Sequence, residues 1–164
     1  MKEILEKKED EKMSVKELLI IVGTETGNAE ALADDAKIFA NKVDLDAKVM
    51  DMDDVSVEDI SNSKLLLICC STWGEGEQPT NAEDLYEDTC DSEDGCMEGV
   101  SFAVLALGDT SYEFFCESGK QWDTVIEEKG GTRIQTRIDC DVDYEDDDEC
   151  EEWIKKTIEI FNSL

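Results

Sequence analysis

The sequence GTETGNAE at residues 23–30 directly follows LLIIV, an apolar run at residues 18–22. It opens a segment whose apolar spacing predicts an amphipathic helix. A strand, a tight polar turn and a helix N-terminus together form a phosphate-binding geometry, because the first helical N–H groups lack intrahelical partners and the helix dipole favours an anion. The alternative for this loop alone is an ordinary helix-capping turn.

Individual residues of this loop suit a bound anion. Thr24 and Thr26 supply hydroxyl donors, and Gly27 allows close backbone approach and a positive φ. Asn28 is predicted to cap the helix. The loop contains no lysine and fits neither the GxxxxGK[ST] nor the GxGxxG pattern, so the phosphate would be held by neutral donors alone.

The length and charge of the chain limit its number of domains and the kinds of partner it can bind. Its 164 residues suit one domain, and 44 acidic against 15 basic residues give a net charge of −29. This charge argues against binding to nucleic acid or anionic membranes, and it suits a basic protein partner, a saline cytoplasm or simple solubility. Because there is no apolar run of about 20 residues and no secretory signal pattern, we expect a cytoplasmic protein. We also expect it to be a monomer.

Seven cysteines and no histidine limit the possible chemistry. The cysteines form no CxxC pair, so zinc and iron–sulfur spacings are absent, and Ser-His-Asp and Cys-His catalysis are excluded. No metal site and no catalytic residue are predicted. Cys69 and Cys70 lie in an apolar run and are predicted to fill the core. Cys90 and Cys96 flank an acidic loop and could pair.

Apolar patterning predicts alternating strands and helices. Buried strands are expected at 17–23, 64–70 and 100–107, an edge strand at 46–52 and a last strand at 132–138. Helices are expected at 28–42, 55–60, 82–90, 117–129 and 149–161. Residues 1–16 are predicted to be a charged tail ahead of one domain at 17–164. This alternation predicts a parallel sheet covered by helices on both faces.

Three polar loops follow the buried strands, at residues 24–29, 71–81 and 108–116. In parallel sheets, ligands bind beyond the carboxyl ends of the strands where the strand order reverses, so these loops should meet at one edge. Trp73 and Tyr112 could stack on a flat ligand there, or they could fill the loop–helix core. Combined with the phosphate loop, they favour a nucleotide or a flavin.

Three motifs in this order and spacing resemble the flavodoxin family, and in particular the flavodoxin-like FMN domain of assimilatory sulfite reductase flavoproteins. They are TETGNAE from residue 24, STWGEGEQPTNAEDLYE from residue 71 and LGDTSYEFFCESGKQWD from residue 107. The resemblance covers roughly residues 17–164. It implies an α/β fold with a doubly wound, five-stranded parallel sheet of order 2-1-3-4-5, helices on both faces and FMN as cofactor.

The resemblance also implies residue roles. The FMN phosphate would be wrapped by Thr24, Glu25, Thr26, Gly27, Asn28 and Ala29, with Ser71 and Thr72 beside the phosphate and ribityl chain. Trp73 and Tyr112 would stack on the inner and outer faces of the isoalloxazine ring. The Gly74 carbonyl would accept a hydrogen bond from the protonated N5 of the semiquinone, and Glu75 and Gly76 belong to the same loop. The ring and its pyrimidine edge would be bordered by Leu107, Gly108, Asp109, Phe114, Phe115 and Cys116.

One departure from the sulfite reductase pattern concerns Trp73. The sulfite reductase domains often lack an aromatic residue there, whereas electron-carrying flavodoxins often have one. Acidic residues also surround the implied site and disfavour the anionic, fully reduced flavin, which predicts a low potential and one-electron transfer through a neutral semiquinone. They are Glu75, Glu77, Asp109, Glu113 and Glu117.

We therefore expect a stand-alone, non-enzymatic flavodoxin. It would carry single electrons from an NAD(P)H-dependent flavodoxin or ferredoxin reductase to an acceptor enzyme with a basic patch, because the chain ends at Leu164 without an FAD/NADPH module. The acidic segments 83–98 and 139–152 are candidate docking faces or merely solubilising. Alternatives are an NAD(P)H-dependent quinone or disulfide reductase of the same fold, the diffusible FMN subunit of a split sulfite-reductase-like system, and a non-redox acidic binding module.

Overall fold

The computed structural model describes residues 16–25, 27–73, 75–109, 111, 113–141 and 148–164. The strands are β1 (Glu17–Gly23), β2 (Asp46–Asp51), β3 (Leu65–Ser71), β4 (Ser101–Gly108), β5 (Thr132–Arg133) and β6 (Ile138–Asp141). The helices are α1 (Asn28–Lys42), α2 (Val57–Asn62), α3 (Glu83–Asp91), α4 (Glu117–Glu128) and α5 (Asp148–Ser163). A short 3₁₀ helix, Met52–Asp54, joins β2 to α2.

All strand pairs in the sheet are parallel. The order is β2-β1-β3-β4-β5, and β6 also pairs with β4. This confirms the predicted order and places β2 at an edge. After β1 the chain moves outward to β2 and then returns to the other side of β1 as β3. The order therefore reverses beside β1, and the loops after β1 and β3 border the resulting crevice.

The predicted last strand at 132–138 is wrong in detail, because the structure divides it into β5 and β6. Five residue steps lead from Arg133 to Ile138, but their partners on β4, Phe102 and Leu105, are only three steps apart. The extra residues leave the ladder, and the Thr136 carbonyl accepts a hydrogen bond from the Trp153 indole at 2.8 Å. The sheet thus has six strands instead of five, and residues 139–141, predicted as loop, belong to β6.

Arginine side chains hold this interrupted segment against α4. The buried Asp123 carboxylate accepts from Arg133 Nε at 2.7 Å and from Arg137 Nη1 at 3.0 Å. Arg137 also pairs with Asp139 at 2.7 Å. Hydrogen bonds to these carboxylates raise the pKa of both guanidinium groups. The two cations therefore serve the fold and offer little positive charge to a ligand.

Helices cover both faces of the sheet, as the sequence predicted. Alternate side chains of each strand point to opposite faces, so Leu18, Ile20 and Val22 pack with α1 and α5. Ile21, together with residues of β3 and β4 that point the same way, packs with α2, α3 and α4. Strands buried on both faces explain the continuous apolar runs in the sequence.

The predicted tail at 1–16 lies outside the described residues except for Lys16. The Lys16 ammonium donates to the Asn162 carbonyl at 2.7 Å, and the Lys16 carbonyl accepts from the Asp46 N–H at 2.9 Å. Lys16 is therefore already attached to the folded domain. Within the described part of the chain, no helix has the length and apolar character needed to cross a membrane.

The cysteines follow the prediction only in part. Cys69 and Cys70 are fully buried, and burial raises the pKa of the Cys69 thiol to about 12. The suggested Cys90–Cys96 pair is wrong: Cys90 is exposed on α3, and the Cys96 thiol instead lies 3.3 Å from the Ser92 hydroxyl. The disulfide joins Cys140 at the end of β6 to Cys150 in the first turn of α5.

We expect reduction of the Cys140–Cys150 disulfide to lower the free energy of unfolding by about 3 kcal/mol, because it closes a short loop in the unfolded chain. The two cysteines are 10 residues apart in sequence. Urea unfolding with and without dithiothreitol measures the effect. Cys90→Ser, which removes an exposed thiol, should keep the full response to reductant. An identical urea midpoint in both conditions would contradict a stabilising disulfide.

Candidate functional site

The three predicted loops meet at the carboxyl edge of the sheet. The Thr24 N–H donates to Asn81 Oδ1 at 2.9 Å, and the Ser71 hydroxyl lies 3.5 Å from the Thr24 hydroxyl. The Ser118 N–H, just after the third loop, donates to Thr72 Oγ1 at 3.1 Å. These contacts join residues far apart in sequence and make one polar surface of the three loops.

The first loop ends at the N-terminus of α1. Gly27 occupies the N-cap position with φ +86°, so the predicted positive φ is observed. The predicted cap at Asn28 is wrong, because Asn28 is already the first helical residue and no side chain caps this helix. Its first N–H groups thus retain their capacity to bind an anion. The Gly27 N–H itself donates to Thr24 Oγ1 at 3.0 Å, which tightens the turn.

Asn81 holds the first loop to the sheet and to the second loop. Its Oδ1 accepts from Thr24, and its Nδ2 donates to the Val22 carbonyl at 3.2 Å and to Asp51 Oδ1 at 3.0 Å. One amide side chain therefore connects β1, the predicted phosphate-binding turn and the end of β2. Asn81 was predicted only as the end of the second loop, outside the site.

Glu25 makes a second connection between these loops. Its carboxylate accepts a hydrogen bond from the Thr80 N–H. Hydrogen bonds from the Thr80 hydroxyl and N–H hold the pKa of Glu25 below its usual range. The carboxylate is thus directed toward the second loop.

The second loop is closed by backbone pairing between Trp73 and Glu77. The Trp73 N–H donates to the Glu77 carbonyl at 2.9 Å, and the Glu77 N–H donates to the Trp73 carbonyl at 2.8 Å. Gly76 has φ +91° and contacts Phe114 of the third loop, where an added Cβ would lie 3.0 Å from Phe114 Cβ. The Trp73 side chain remains 50% exposed.

The third loop folds tightly back on the end of β4. A Cβ at Gly108 would lie 2.7 Å from the Cys116 nitrogen, so only glycine fits. The half-buried Asp109 carboxylate accepts from the Ser111 N–H at 2.9 Å and from the Ser111 hydroxyl at 2.6 Å. Cys116 is the N-cap residue of α4 and has the left-handed conformation, but its side chain makes no capping hydrogen bond. Burial raises the pKa of its thiol to about 12.

The structure places most of the predicted site residues at this edge, where their side chains differ in exposure to solvent. Ala29 and Leu107 are there with side chains buried in the core, so only their backbone groups face the edge. Glu75 is exposed, and Phe115 and Asp109 are half-buried. Three predicted residues lie outside the described part of the chain: Thr26, Gly74 and Tyr112.

The chemistry of this edge fits a flat group that carries a phosphate. The helix N-terminus and the hydroxyls of Thr24 and Ser71 supply neutral donors for an anion. Four large hydrophobic side chains of the described residues are exposed, and two of these, Trp73 and the 41% exposed Phe114, lie on the second and third loops. Exposed aromatic surface beside anion donors can be covered by a planar ring. The described residues contain no cluster able to hold a metal ion.

Comparison with known proteins identifies the family. The flavodoxin family model matches residues 20–153. The chain belongs to the flavodoxin family. Proteins of this family bind FMN and transfer electrons, which is the cofactor and function class that the motifs implied.

Solved flavodoxins have the same fold as this chain. The flavodoxin of Streptococcus pneumoniae TIGR4 superposes with a TM-score of 0.80 at 26% identity, covering 90% of this chain and 98% of that one. Oxidised Flavodoxin 2 from Bacillus cereus superposes with a TM-score of 0.78 at 28% identity, with the same coverage.

Curated relatives are much longer flavoproteins. The sulfite reductase (NADPH) flavoprotein alpha-component of Bacillus subtilis is 40% identical over 147 residues, which cover 90% of this chain and 24% of that protein. The Vibrio parahaemolyticus counterpart is 38% identical over 141 residues, covering 86% of this chain and 22% of that protein. The chain thus spans about a quarter of the length of these relatives.

Sequence reasoning missed several residues that shape the flavodoxin site. Asn81, Thr80, Gln78 and Ser118 hold the loops in place, although none was assigned to the site. Their signal was the density of polar residues beside Pro79 and after Cys116. Their partners could not be identified, because the hydrogen bonds between Thr24 and Asn81 and between Ser118 and Thr72 span 57 and 46 residues.

The Glu25–Thr80 hydrogen bond should depend on pH. Because the folded-state pKa of Glu25 is lowered, the bond is fully present above the unfolded-state pKa and is lost as the pH falls through the folded value. The Thr80 amide proton should therefore move upfield in an acidic NMR titration, with a midpoint below the usual glutamate range. Glu25→Gln should abolish this step, whereas Glu30→Gln on exposed α1 surface should not. A Thr80 titration that survives Glu25→Gln would assign it to another group.

Proposed function

We propose that this chain is a low-potential electron carrier that binds FMN across the three loops. It would accept single electrons from an NAD(P)H-dependent flavodoxin or ferredoxin reductase and pass them to an acceptor enzyme with a basic docking surface. The observation that carries this proposal is the single sheet edge that combines an uncapped helix N-terminus with the exposed aromatic rings of Trp73 and Phe114.

Different residues of the described chain would contact different parts of FMN. The N–H groups at the start of α1, with the hydroxyls of Thr24 and Ser71, would bind the phosphate. Thr72 would lie along the ribityl chain, and Trp73 would cover one face of the ring. The backbone around Gly108 and Asp109 would border the ring edge. The resemblance to flavodoxins further implies Thr26 at the phosphate, the Gly74 carbonyl at N5 and Tyr112 on the outer face of the ring.

The charge around the site supports one-electron transfer. FMN supplies the redox chemistry, and the surrounding protein sets which of its redox levels is favoured. Exposed Glu75, Glu77 and Glu113 add to the net charge of −29 and disfavour the anionic, fully reduced flavin. We therefore propose that a neutral semiquinone is the level used and that the potential of the second electron is low.

The acidic surface also suggests the kind of partner. Segment 83–98 carries eight carboxylates and no basic side chain. Such a surface would steer the carrier to a basic patch at rates that fall with ionic strength. The second candidate function, favoured by the identity to sulfite reductase flavoproteins, is the FMN-bearing part of a sulfite-reductase-like system. In both cases FMN is reduced by a flavoprotein partner.

Stepwise reduction of the purified protein tests the proposal. We expect a yellow protein that passes through a blue neutral semiquinone during slow dithionite reduction and releases FMN on denaturation. NADPH alone should leave it oxidised until a flavodoxin reductase is added. A colourless protein that does not bind added FMN would refute FMN binding, and a single two-electron step would refute the carrier mechanism. Steady turnover of NADPH by the pure protein would favour a quinone reductase.

Asn81→Ala should weaken FMN binding about tenfold, because it removes the hydrogen bond that fixes Thr24 at the phosphate loop, worth about 1 kcal/mol, and leaves the Val22 carbonyl less well satisfied. Quenching of FMN fluorescence on binding gives the dissociation constant. Asn62→Ala, at the exposed end of α2, is the matched control and should bind as the wild type does. Equal affinity of Asn81→Ala and wild type would exclude this role for Asn81.

A further inference from the structure

One residue of α4 makes three hydrogen bonds to the Trp73 loop. The fully buried Ser118 donates from its N–H to Thr72 Oγ1 at 3.1 Å and from its hydroxyl to the Glu77 carbonyl at 2.7 Å. Its carbonyl accepts from Gln78 Nε2 at 3.2 Å. Both ends of the loop that carries Trp73 are therefore fixed to the same residue.

This attachment is reciprocal. The side chain of the N-cap residue Cys116 makes no hydrogen bond to the start of α4. Instead, the Thr72 hydroxyl accepts from the Ser118 N–H, which is one of the first N–H groups of the helix. The loop thereby completes the helix while the helix positions the loop. Gly119 makes this possible, since a Cβ there would overlap Ala106, so α4 begins in direct contact with β4.

Gln78 extends the attachment into the core. It is 8% exposed, and its Oε1 accepts from the indole N–H of the fully buried Trp122 at 3.0 Å. Its Nε2 also donates to Gln121 Oε1 at 3.0 Å. The amide therefore connects a rigid aromatic residue of the core to Ser118 and to the end of the loop.

We propose that Ser118 is a positioning residue for the flavin, acting through the backbone pair between Trp73 and Glu77. The Glu77 carbonyl accepts from both the Ser118 hydroxyl and the Trp73 N–H, so the hydroxyl fixes the carbonyl that closes the loop. Ser118 is fully buried and hydrogen-bonded to the loop, so it would act on the flavin only through the loop. It sets how rigidly the loop meets the flavin, and so how strongly the loop favours one redox level over another.

This inference rests on the proposed function, and Ser118→Ala tests it. The variant removes the hydroxyl but keeps the N–H and carbonyl, so the capping of α4 is preserved. Thr124→Ala is the control: it removes a hydroxyl from the same helix that donates to the Lys120 carbonyl in the preceding turn. In the FMN-free protein, we expect the Trp73 and Glu77 amides to exchange roughly fivefold faster in Ser118→Ala and unchanged in Thr124→Ala.

With FMN bound, the equilibrium between the two one-electron reduction steps should change by roughly threefold in Ser118→Ala, against no change in Thr124→Ala. A merely structural role would lower the melting temperature but leave this equilibrium at its wild-type value, and that result overturns the proposal. Unchanged amide exchange in folded Ser118→Ala overturns it as well.

Ser118→Cys supplies a second variant in case Ser118→Ala does not fold. Its thiol keeps the side chain close to its original size but is only a weak donor to the Glu77 carbonyl, so amide exchange at Trp73 and Glu77 should again accelerate. If wild-type protein fails to bind FMN while the exchange results hold, the proposed function is wrong and Ser118 remains an anchor of the loop only. The two failures are therefore distinguishable.

Discussion

Parallel pairing of β1, β3 and β4 is the constraint on which the rest of the molecule depends. Because neighbouring strands run in the same direction, each must be followed by a crossover that returns across a face of the sheet, and the helices of these crossovers bury the strands on both faces. The carboxyl ends of all three consequently meet at one edge. The three loops whose motifs resemble those of flavodoxins all leave from that edge. The strand order reverses beside β1, which leaves a crevice between the loop after β1 and the loop after β3.

The loops at this edge are held mainly by side chains that bind the backbone of another loop. Asn81 fixes Thr24, Thr80 binds Glu25, and Ser118 fixes both ends of the Trp73 loop. All buried polar side-chain atoms among the described residues have a partner. A loop edge of this kind can be rigid while its aromatic rings stay exposed, which suits a surface that a ring covers and that a partner protein must approach.

The predicted phosphate site of this chain, whose net charge is −29, has no lysine or arginine, so it needs uncharged donors for the anion. The N-terminus of α1 meets this need, because its N–H groups and dipole attract an anion without a cationic side chain. The arginines are occupied elsewhere: Arg133 and Arg137 neutralise Asp123 where the chain between β5 and β6 leaves the ladder. Negative charge is therefore left on the surface, and we propose that the site binds its anion through backbone groups.

Apolar runs predicted a parallel sheet with helices on both faces, and the glycine in the first turn predicted the positive φ at Gly27, because these signals are local and need no knowledge of contacts. The sheet order and the family were implied by the resemblance of three short motifs to flavodoxins. Other features depend on contacts that form only in the folded chain. The division of the last strand follows from unequal spacing against β4, and the Cys140–Cys150 disulfide follows from the return of α5 beside β6. The anchoring roles of Asn81, Gln78 and Ser118 were equally hidden, because each depends on a partner about 40 to 60 residues away that only the folded chain brings within hydrogen-bond distance.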